Sequence, residues 1–307
     1  MSPLEASDIA ADFHRALARL NRPGWRKLAD PGVGVFLQRW RARRADEPSL
    51  RQVSLFFGES MQVALPEVIS EQIHAYGLFD PEVSWLALCA VEQGDTVFDV
   101  GAHFGYFTLL FSALAGPSGR VLALEPTPST FAILSANVAG YSRITALNVA
   151  AGATSGRLSI TDYGLRHSAW NTLAARGWLA PAQAPSPRHH EVDVVTLDEC
   201  ARQRGMIPGF LKIDAENYET QVLEGAGELL ERHAPSLLLE AGSDAAACLA
   251  QALAHQGYRA FVAPLPGQLI ACEDAADAAR RHKDVLFAAG ERAARLPARA
   301  AALAAAR

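Results

Sequence analysis

Two acids and two glycines between residues 99 and 125 have the types and spacing to hold a nucleotide-like ligand. Asp99 lies in an apolar run that predicts a strand, and Gly101 and Gly105 lie between that strand and a predicted apolar helix. Glycine permits positive φ and lets a ligand approach the bare backbone, while the start of the helix offers unpaired N–H groups. The next predicted strand ends at Glu125, whose carboxylate can accept hydrogen bonds from both hydroxyls of a ribose.

The glycine spacing separates two classes of ligand. In dinucleotide-binding folds the pattern G-x-G-x-x-G rests a pyrophosphate on the helix start, but here the second and third glycine positions hold His103 and Tyr106. Glu125 would also repel a 2′-phosphate, which disfavours NADP. The pattern Asp99-x-Gly101-x-x-x-Gly105 instead resembles the first motif of class I S-adenosylmethionine-dependent methyltransferases. An NAD-dependent oxidoreductase is the alternative, because it uses the same strand, turn, helix and ribose acid.

Composition excludes several partners. The chain has 307 residues, of which 50% are hydrophobic and 20% charged, as in an ordinary globular protein. A formal net charge of −5 provides no basic field for a phosphate backbone, so nucleic acid is not an expected partner. The first residues lack a signal-peptide pattern and no uncharged run reaches membrane-spanning length, so we expect a cytoplasmic protein without membrane contacts. The four cysteines are scattered without paired spacing and are expected as reduced thiols.

The elements that position these residues alternate between strand and helix, which is typical of a parallel sheet with helices on both faces. The expected division is a helical and β-hairpin extension over 1–80, a catalytic domain over 81–290 and an Ala/Arg-rich tail over 291–307. One helix is predicted around 222–230. The arginines around Trp40 are predicted to form a solvated helix face, with a phosphate-binding patch as the alternative. Residues 161–190 are predicted to form a long irregular segment, which would be a substrate lid if it lies over the strand ends. The predicted strands are 97–100, 120–125, 144–151, 157–160, 192–196, 210–214, 236–240, 258–262 and an antiparallel 284–288.

Four stretches, in this order along the chain, resemble the FkbM-type family of methyltransferases: DVGAHFGYFTLL, VLALEP, VVTLDE, and LKIDAENYETQVLEGA with its LLLEAG sequel. The resemblance covers residues 69–287. It implies a class I methyltransferase fold, which is an α/β fold with a seven-stranded, mostly parallel sheet. It also implies methyl transfer from S-adenosylmethionine, usually to a hydroxyl on a sugar or secondary metabolite. A module that binds this cofactor without catalysis is a further alternative.

The same resemblance assigns residues to parts of the cofactor by their position in the motifs. Asp99, Gly101 and Gly105 would hold the methionine part, Glu125 would hold the ribose, and Asp214 would face the methyl group. The other residues expected in the cofactor site are Ala102, His103, Tyr106 and Pro126, with Asn148, Val149 and Ala150 near the adenine.

The chain departs from the family pattern at two positions near this site. The family commonly has asparagine where His103 stands and glycine where Asn217 stands. The segment 167–173 is similar to a family loop that ends in Asn-Ser-Leu, and we interpret it as an element on the substrate side. The departures at His103 and Asn217 both alter polar groups near the expected ligand.

Methyl transfer from a sulfonium is an in-line displacement, so the protein mainly aligns the acceptor oxygen and removes its proton. The candidates lie at predicted strand ends or loops on the ligand side: His103, His167, Asp214 and Glu240. Asp214 ranks first, with the role of orienting the acceptor or its proton. His103 or His167 is the candidate base, because the pKa of histidine is near neutrality. A helix cap for Asp214 and an ordinary loop position for His167 are the structural alternatives.

The alternative to a reaction carried by side chains alone is one that also uses a metal ion. Asp214 and Glu240 end neighbouring predicted strands, and two such carboxylates could hold Mg²⁺. The adjacent His189, His190 and Glu191 cannot easily converge on one ion. S-adenosylmethionine is therefore the expected cofactor and a small hydroxylated molecule the expected partner. The sequence leaves open the identity of the acceptor, the base, and whether the chain forms a homodimer.

Overall fold

The computed structural model describes residues 5–22, 48–171 and 186–306. The arginine-rich segment around Trp40 and the middle of the predicted lid lie outside the described residues. The strands, in chain order, are β1 (Ser49–Ser54), β2 (Ser60–Leu65), β3 (Thr96–Val100), β4 (Arg120–Leu124), β5 (Ile144–Leu147), β6 (Ala150–Ala151), β7 (Gly156–Asp162), β8 (Arg188–Val195), β9 (Phe210–Ile213), β10 (Ser236–Glu240), β11 (Arg259–Val262), β12 (Ile270–Cys272) and β13 (Asp284–Ala288).

The α-helices of the described residues lie between these strands and at both ends. They are α1 (Ala6–Leu20), α2 (Val68–Tyr76), α3 (Pro81–Ala90), α4 (Tyr106–Ala115), α5 (Pro128–Val138), α6 (Leu197–Arg204), α7 (Glu219–Glu224), α8 (Gly227–His233), α9 (Asp244–His255), α10 (Ala275–Arg281) and α11 (Gly290–Ala305). A 3₁₀ helix spans Leu165–Trp170. An aspartate followed by a proline predicts a helix start from the sequence, and α3 does begin at Pro81, where the Asp80 side chain accepts a hydrogen bond from the N–H of Val83.

The central sheet is mostly parallel, and its strand order is β12-β11-β13-β10-β9-β3-β4-β5. Seven of these strands form the sheet that the sequence predicts, and the described residues add an eighth strand to it. The additional strand is β12, which pairs antiparallel with β11 because the chain folds back after Val262. β13 runs antiparallel to β10 and β11, which confirms the prediction for the last strand.

Helices cover both faces of the sheet and form two hydrophobic clusters with it. The cluster on one face contains Trp85 of α3 and Leu110 of α4, and the cluster on the other contains Val222 of α7 and Leu253 of α9. Because both faces are buried, the inner strands are continuous apolar runs without alternation. The run Val-Leu-Ala-Leu in β4 is an example, with all four residues buried.

The terminal elements share the first of these clusters. Phe13 of α1 and Leu296 of α11 are buried in it. Arg292 of α11 donates through Nη1 to Asp95 Oδ2 at 3.1 Å, and Arg299 donates to the carbonyl oxygen of Val91. The Ala/Arg-rich segment therefore docks on the sheet domain, a point that the sequence left undecided.

A second, three-stranded sheet has the order β6-β8-β7. It corrects the prediction of one strand over 144–151, because the chain leaves the central sheet after Leu147 and joins β8 at Ala150. The turn is held by Asn148, whose Nδ2 donates to the carbonyl oxygens of Glu125 and Pro126 at 2.8 and 2.9 Å.

The single helix predicted around 222–230 is broken in the structure at Gly225 and Ala226. Asp198 explains the break, because its carboxylate accepts hydrogen bonds from the N–H groups of Glu228 and Leu229, both at 2.9 Å, and so caps α8. A Cβ at Gly225 would lie 2.0 Å from the carbonyl oxygen of Gly152. Glycine therefore allows α7 to pack directly against the second sheet.

The described helices include none that combines the length and apolar character needed to cross a membrane. Cys89, Cys200, Cys248 and Cys272 are free thiols.

We expect Gly225→Ala to lower the free energy of unfolding by about 1–3 kcal/mol, because its methyl group would overlap a backbone oxygen that has little room to move. Gly227→Ala is the matched control, since a Cβ there has no neighbouring atom within 4 Å, and its effect should stay within about 0.5 kcal/mol. Urea denaturation of both variants measures the difference. Equal losses would contradict the requirement for glycine at this contact with Gly152.

Candidate active site

A cavity lies at the carboxyl edge of the central sheet, where the ends of β3, β4 and β9 meet. Such an edge is the usual ligand position in open α/β sheets. The residues predicted for the site that line this cavity are Gly101, His103, Glu125, Pro126, Val149, Ala150 and Asp214. Its wall also includes Ser168, Ala169 and Asn171 of the segment interpreted as a substrate-side element. Thr172 and Leu173 of that segment lie outside the described residues.

Gly101 brings the ends of β3 and β9 together. Its φ is +76°, and a Cβ at this position would lie 1.9 Å from the carbonyl oxygen of Asp214. The N–H of Asp214 in turn donates to the carbonyl oxygen of Val100 at 3.2 Å. The glycine therefore sets the distance between the turn after β3 and the acid after β9.

Glu125 is fixed at the cavity wall by two backbone groups. Its Oε2 accepts from the N–H of His103 at 3.0 Å, and its Oε1 accepts from the N–H of Thr127 at 2.9 Å. Burial raises the pKa of Glu125 to about 7, although these hydrogen bonds act in the opposite direction. Each carboxylate oxygen has a further lone pair, so the side chain can still accept hydrogen bonds from two neighbouring hydroxyls.

His103 lies in the same turn with a φ of +51°, in the left-handed region where asparagine and histidine are found more often than most residues. Its Nε2 is 2.8 Å from Ser168 Oγ, which links the turn to the 3₁₀ helix. Burial lowers the pKa of His103 to about 3, so the ring is neutral at pH 7. A group with this pKa is a weak proton acceptor, which disfavours the role of general base that the sequence suggested.

A buried lysine that the sequence analysis did not identify lies behind the cavity. Lys212 of β9 is 4% exposed, and its Nζ is 2.9 Å from Asp214 Oδ2. Across the β3–β9 pair Lys212 is the direct partner of Asp99, which is fully buried and accepts a hydrogen bond from Thr108 Oγ1. Asp99 is therefore part of a buried charge network and is not at the cavity surface. The signal in the sequence was a lysine inside the apolar run Phe210–Ile213.

Three carboxylates meet at the ends of β9 and β10. Oxygen atoms of Asp214, Glu216 and Glu240 all lie within 4.8 Å of one another. Burial and the neighbouring carboxylate of Asp214 raise the pKa of Glu240 well above its usual range, and they raise that of Glu216 to about 7. Burial also acts to raise the pKa of Asp214, but the ammonium of Lys212 holds it below the usual value. At neutral pH Asp214 is thus ionised and Glu240 carries a proton.

The conformation after Asp214 explains one departure from the family pattern. Glu216 and Asn217 have φ values of +50° and +72°, both in the left-handed region. Asparagine adopts this conformation more readily than most residues, so it can take the place of the glycine that the family commonly has. The suggested role of Asp214 as a helix cap is wrong, because α7 begins only at Glu219.

The other predicted site residues lie outside the cavity wall. Tyr106 is buried with its Oη 3.1 Å from Ser84 Oγ, and Ala102 and Gly105 belong to the same turn and helix start. Asn148 holds the turn after β5 as described above. His167 faces a neighbouring cavity lined by Glu67, Glu71 and Arg166, which shares Ala169 with the first cavity. The roles of all these residues stay predictions.

A doubly wound sheet of this strand order, with a cavity at its carboxyl edge, has the fold of a class I methyltransferase. Residues 99–260, more than half of the chain, match the methyltransferase FkbM domain. The chain belongs to this family, which confirms the resemblance found in the sequence. Membership supports a methyltransferase that depends on S-adenosylmethionine, and it gives no support to Mg²⁺ or to an NAD-dependent oxidoreductase.

The chain is similar to several named proteins. It is 34% identical over 160 residues to 31-O-demethyl-FK506 methyltransferase FkbM of Streptomyces tacrolimicus. This match covers 44% of this chain and 60% of the length of that protein. The crystal structure of a methyltransferase FkbM from Methylobacillus flagellatus matches at 19% identity with a TM-score of 0.41, covering 63% of this chain and 43% of that one. The crystal structure of fibrillarin of Aeropyrum pernix, with S-adenosyl-L-methionine bound, matches at 14% identity with a TM-score of 0.40. This match covers 80% of this chain and 96% of that one.

We expect Lys212→Met to lower the free energy of unfolding by about 3–5 kcal/mol, because it leaves the carboxylates of Asp99 and Asp214 without their buried counter-charge. Lys283→Met is the control: that side chain is 68% exposed and lies 3.7 Å from Asp80 Oδ2, so its loss should cost about 1 kcal/mol or less. The urea midpoints of both variants test this. A Lys212→Met protein as stable as the control would show that the ion pair contributes little.

Proposed function

We propose that this protein is an O-methyltransferase that transfers a methyl group from S-adenosylmethionine to a hydroxyl of a sugar or secondary-metabolite acceptor. The observation that carries the proposal is the presence, in one cavity, of a buried carboxylate at Glu125 and an acid cluster at Asp214 and Glu216. The name of the Streptomyces relative describes an O-demethyl compound as its substrate, which supports oxygen as the methylated atom.

The residues of the cavity fit the cofactor. Glu125 would accept hydrogen bonds from the ribose hydroxyls, and the apolar side chains of Leu124, Val149 and Ile160 would contact the adenine. The bare backbone at Gly101 would lie beside the methionine part. When bound, S-adenosylmethionine supplies an electrophilic methyl group, so the protein needs only to align the acceptor oxygen and take its proton.

Glu216 is the best candidate for the base that takes this proton. It lines the cavity, and its pKa of about 7 leaves a useful fraction ionised at neutral pH. His103 is too weakly basic for the role, and Glu240 already holds a proton that it shares with Asp214. Asp214, kept ionised by Lys212, would orient the acceptor hydroxyl. Glu216, an acid beside Asp214, thus replaces the histidines as the candidate base.

We expect S-adenosylmethionine to bind the wild-type protein and Glu125→Gln to weaken this binding by about tenfold or more, because hydrogen bonds to a charged acceptor contribute about 1.5–3 kcal/mol. Glu231→Gln, at an exposed position of α8, should leave the affinity unchanged. Isothermal titration calorimetry measures all three proteins. Absence of binding to the wild type would reject the proposed function, and equal affinity in the two variants would reject the role of Glu125.

A screen with isotope-labelled cofactor then separates catalysis from binding alone. Glycosides and hydroxylated secondary metabolites are incubated with the protein, and methylated products are detected by mass spectrometry. Cofactor binding with no methylated product from any compound would favour the non-catalytic module over the enzyme.

With an acceptor from that screen, we expect kcat to rise with pH around a midpoint near 7, because the base form of Glu216 increases as pH passes its pKa. Glu216→Gln should lower kcat by about a hundredfold or more and remove this midpoint. Glu240→Gln is the matched control, since an amide keeps a donor toward Asp214 and should change kcat far less. A pH profile unchanged in Glu216→Gln would assign the base elsewhere.

A further inference from the structure

A second cavity lies on the same side of the sheet, beyond the acid cluster. Its walls come from Gln72 of α2, from Phe79 and Asp80 at the start of α3, and from Lys283 and Asp284 at the start of β13. None of these residues belongs to the cofactor site described above. A ligand in this cavity would therefore be distinct from the cofactor.

The strand order places the two cavities near each other at the same edge of the sheet. Asp214 follows β9 and lines the first cavity, while Asp284 lines the second and pairs with Glu240 across β10 and β13. Because β9, β10 and β13 are consecutive neighbours, the ends of β9 and β13 are about 10 Å apart, which is two strand spacings. Glu240 thus lies between the candidate methyl-transfer position and the second cavity.

Helix α2 contributes residues to the walls of both cavities. Ile69 lines the first cavity and Gln72 lines the second. Residues three apart lie on one face of a helix, one turn from each other. One molecule could therefore contact both residues while lying along α2.

The side chains of the second cavity favour an uncharged ligand that is rich in hydroxyls. Carboxylates of Asp80 and Asp284, the ammonium of Lys283 and the amide of Gln72 line the cavity together with the half-buried ring of Phe79. Lys283 lies 3.7 Å from Asp80, and Arg281, which also lines the cavity, is paired with Asp277 at 2.8 Å, so both cations already have anionic partners. Hydroxyls both donate and accept, so they can use acids and cations together.

We infer that the second cavity is the acceptor subsite, and that it holds the non-reacting part of an uncharged, polyhydroxylated acceptor longer than a single sugar ring. The inference rests on the proposed function, because the reacting hydroxyl must reach the position beside Asp214 and Glu216. The length follows from the distance between the ends of β9 and β13. A neutral disaccharide or glycoside has this chemistry and this reach.

Saturation-transfer NMR tests the inference with trehalose, maltose and sucrose as probes, in the presence of S-adenosylhomocysteine. Glucose 6-phosphate is the charged comparison. We expect at least one disaccharide to receive saturation from the wild type, and Gln72→Ala and Lys283→Ala to weaken its binding by about tenfold, the usual effect of one lost hydrogen-bonding partner. Gln203→Ala, on α6 and paired with Glu199, is the matched control and should bind as the wild type does.

Three results would overturn the inference: no saturation of any disaccharide, equal saturation in both cavity variants and the wild type, or saturation of glucose 6-phosphate alone. Calorimetry with S-adenosylmethionine on the same variants separates this failure from failure of the proposed function. Cofactor affinity should be unchanged in Gln72→Ala and Lys283→Ala, because neither residue lines the first cavity. Loss of cofactor binding in the wild type would reject the function itself.

Discussion

The site depends on one buried ion pair, between Lys212 in β9 and Asp214 at its end. A lysine in an apolar strand needs a counter-charge, since an unpaired buried ammonium costs several kcal/mol. Asp99 on β3 and Asp214 on the cavity side provide that charge from two directions. The pair keeps Asp214 ionised, and burial together with this charge raises the pKa of Glu216 and Glu240. The protonation states of the cluster therefore depend on the lysine of the strand as well as on burial.

Elements whose signal is local could be predicted from the sequence. The apolar runs of the inner strands, the proline start of α3 and the antiparallel last strand all agree with the structure. The errors come from contacts between residues distant in sequence. The chain leaves the central sheet at Asn148 because its side chain binds the turn after β4, and the helix around 225 breaks because Asp198 caps α8. No periodicity in the segment itself indicates either event.

The residues of the candidate site also fall into those that the local sequence predicts and those that depend on distant contacts. Glu125 and Gly101 could be predicted because strand ends and turns are marked by their own residues. Asp99 belongs to the same motif, yet its side chain is directed to a lysine 113 positions later, which only the pairing of β3 and β9 reveals. Glu216 was missed as a base because its pKa depends on its burial and on the nearby acids Asp214 and Glu219, which the sequence alone does not bring together. Chemistry that depends on such neighbours requires the three-dimensional structure.

The walls of the second cavity come from α2, α3 and β13, whereas the first cavity is built mainly from the turns after β3 and β4 and the residues after β9. Only α2 contributes to both among these elements, through Ile69 and Gln72. Evolution can therefore exchange one acceptor for another through α3, β13 and Gln72 without substituting residues of the turn that receives the methyl donor. Divergence among relatives should then be greatest in these elements, and directed evolution toward new acceptors should begin there.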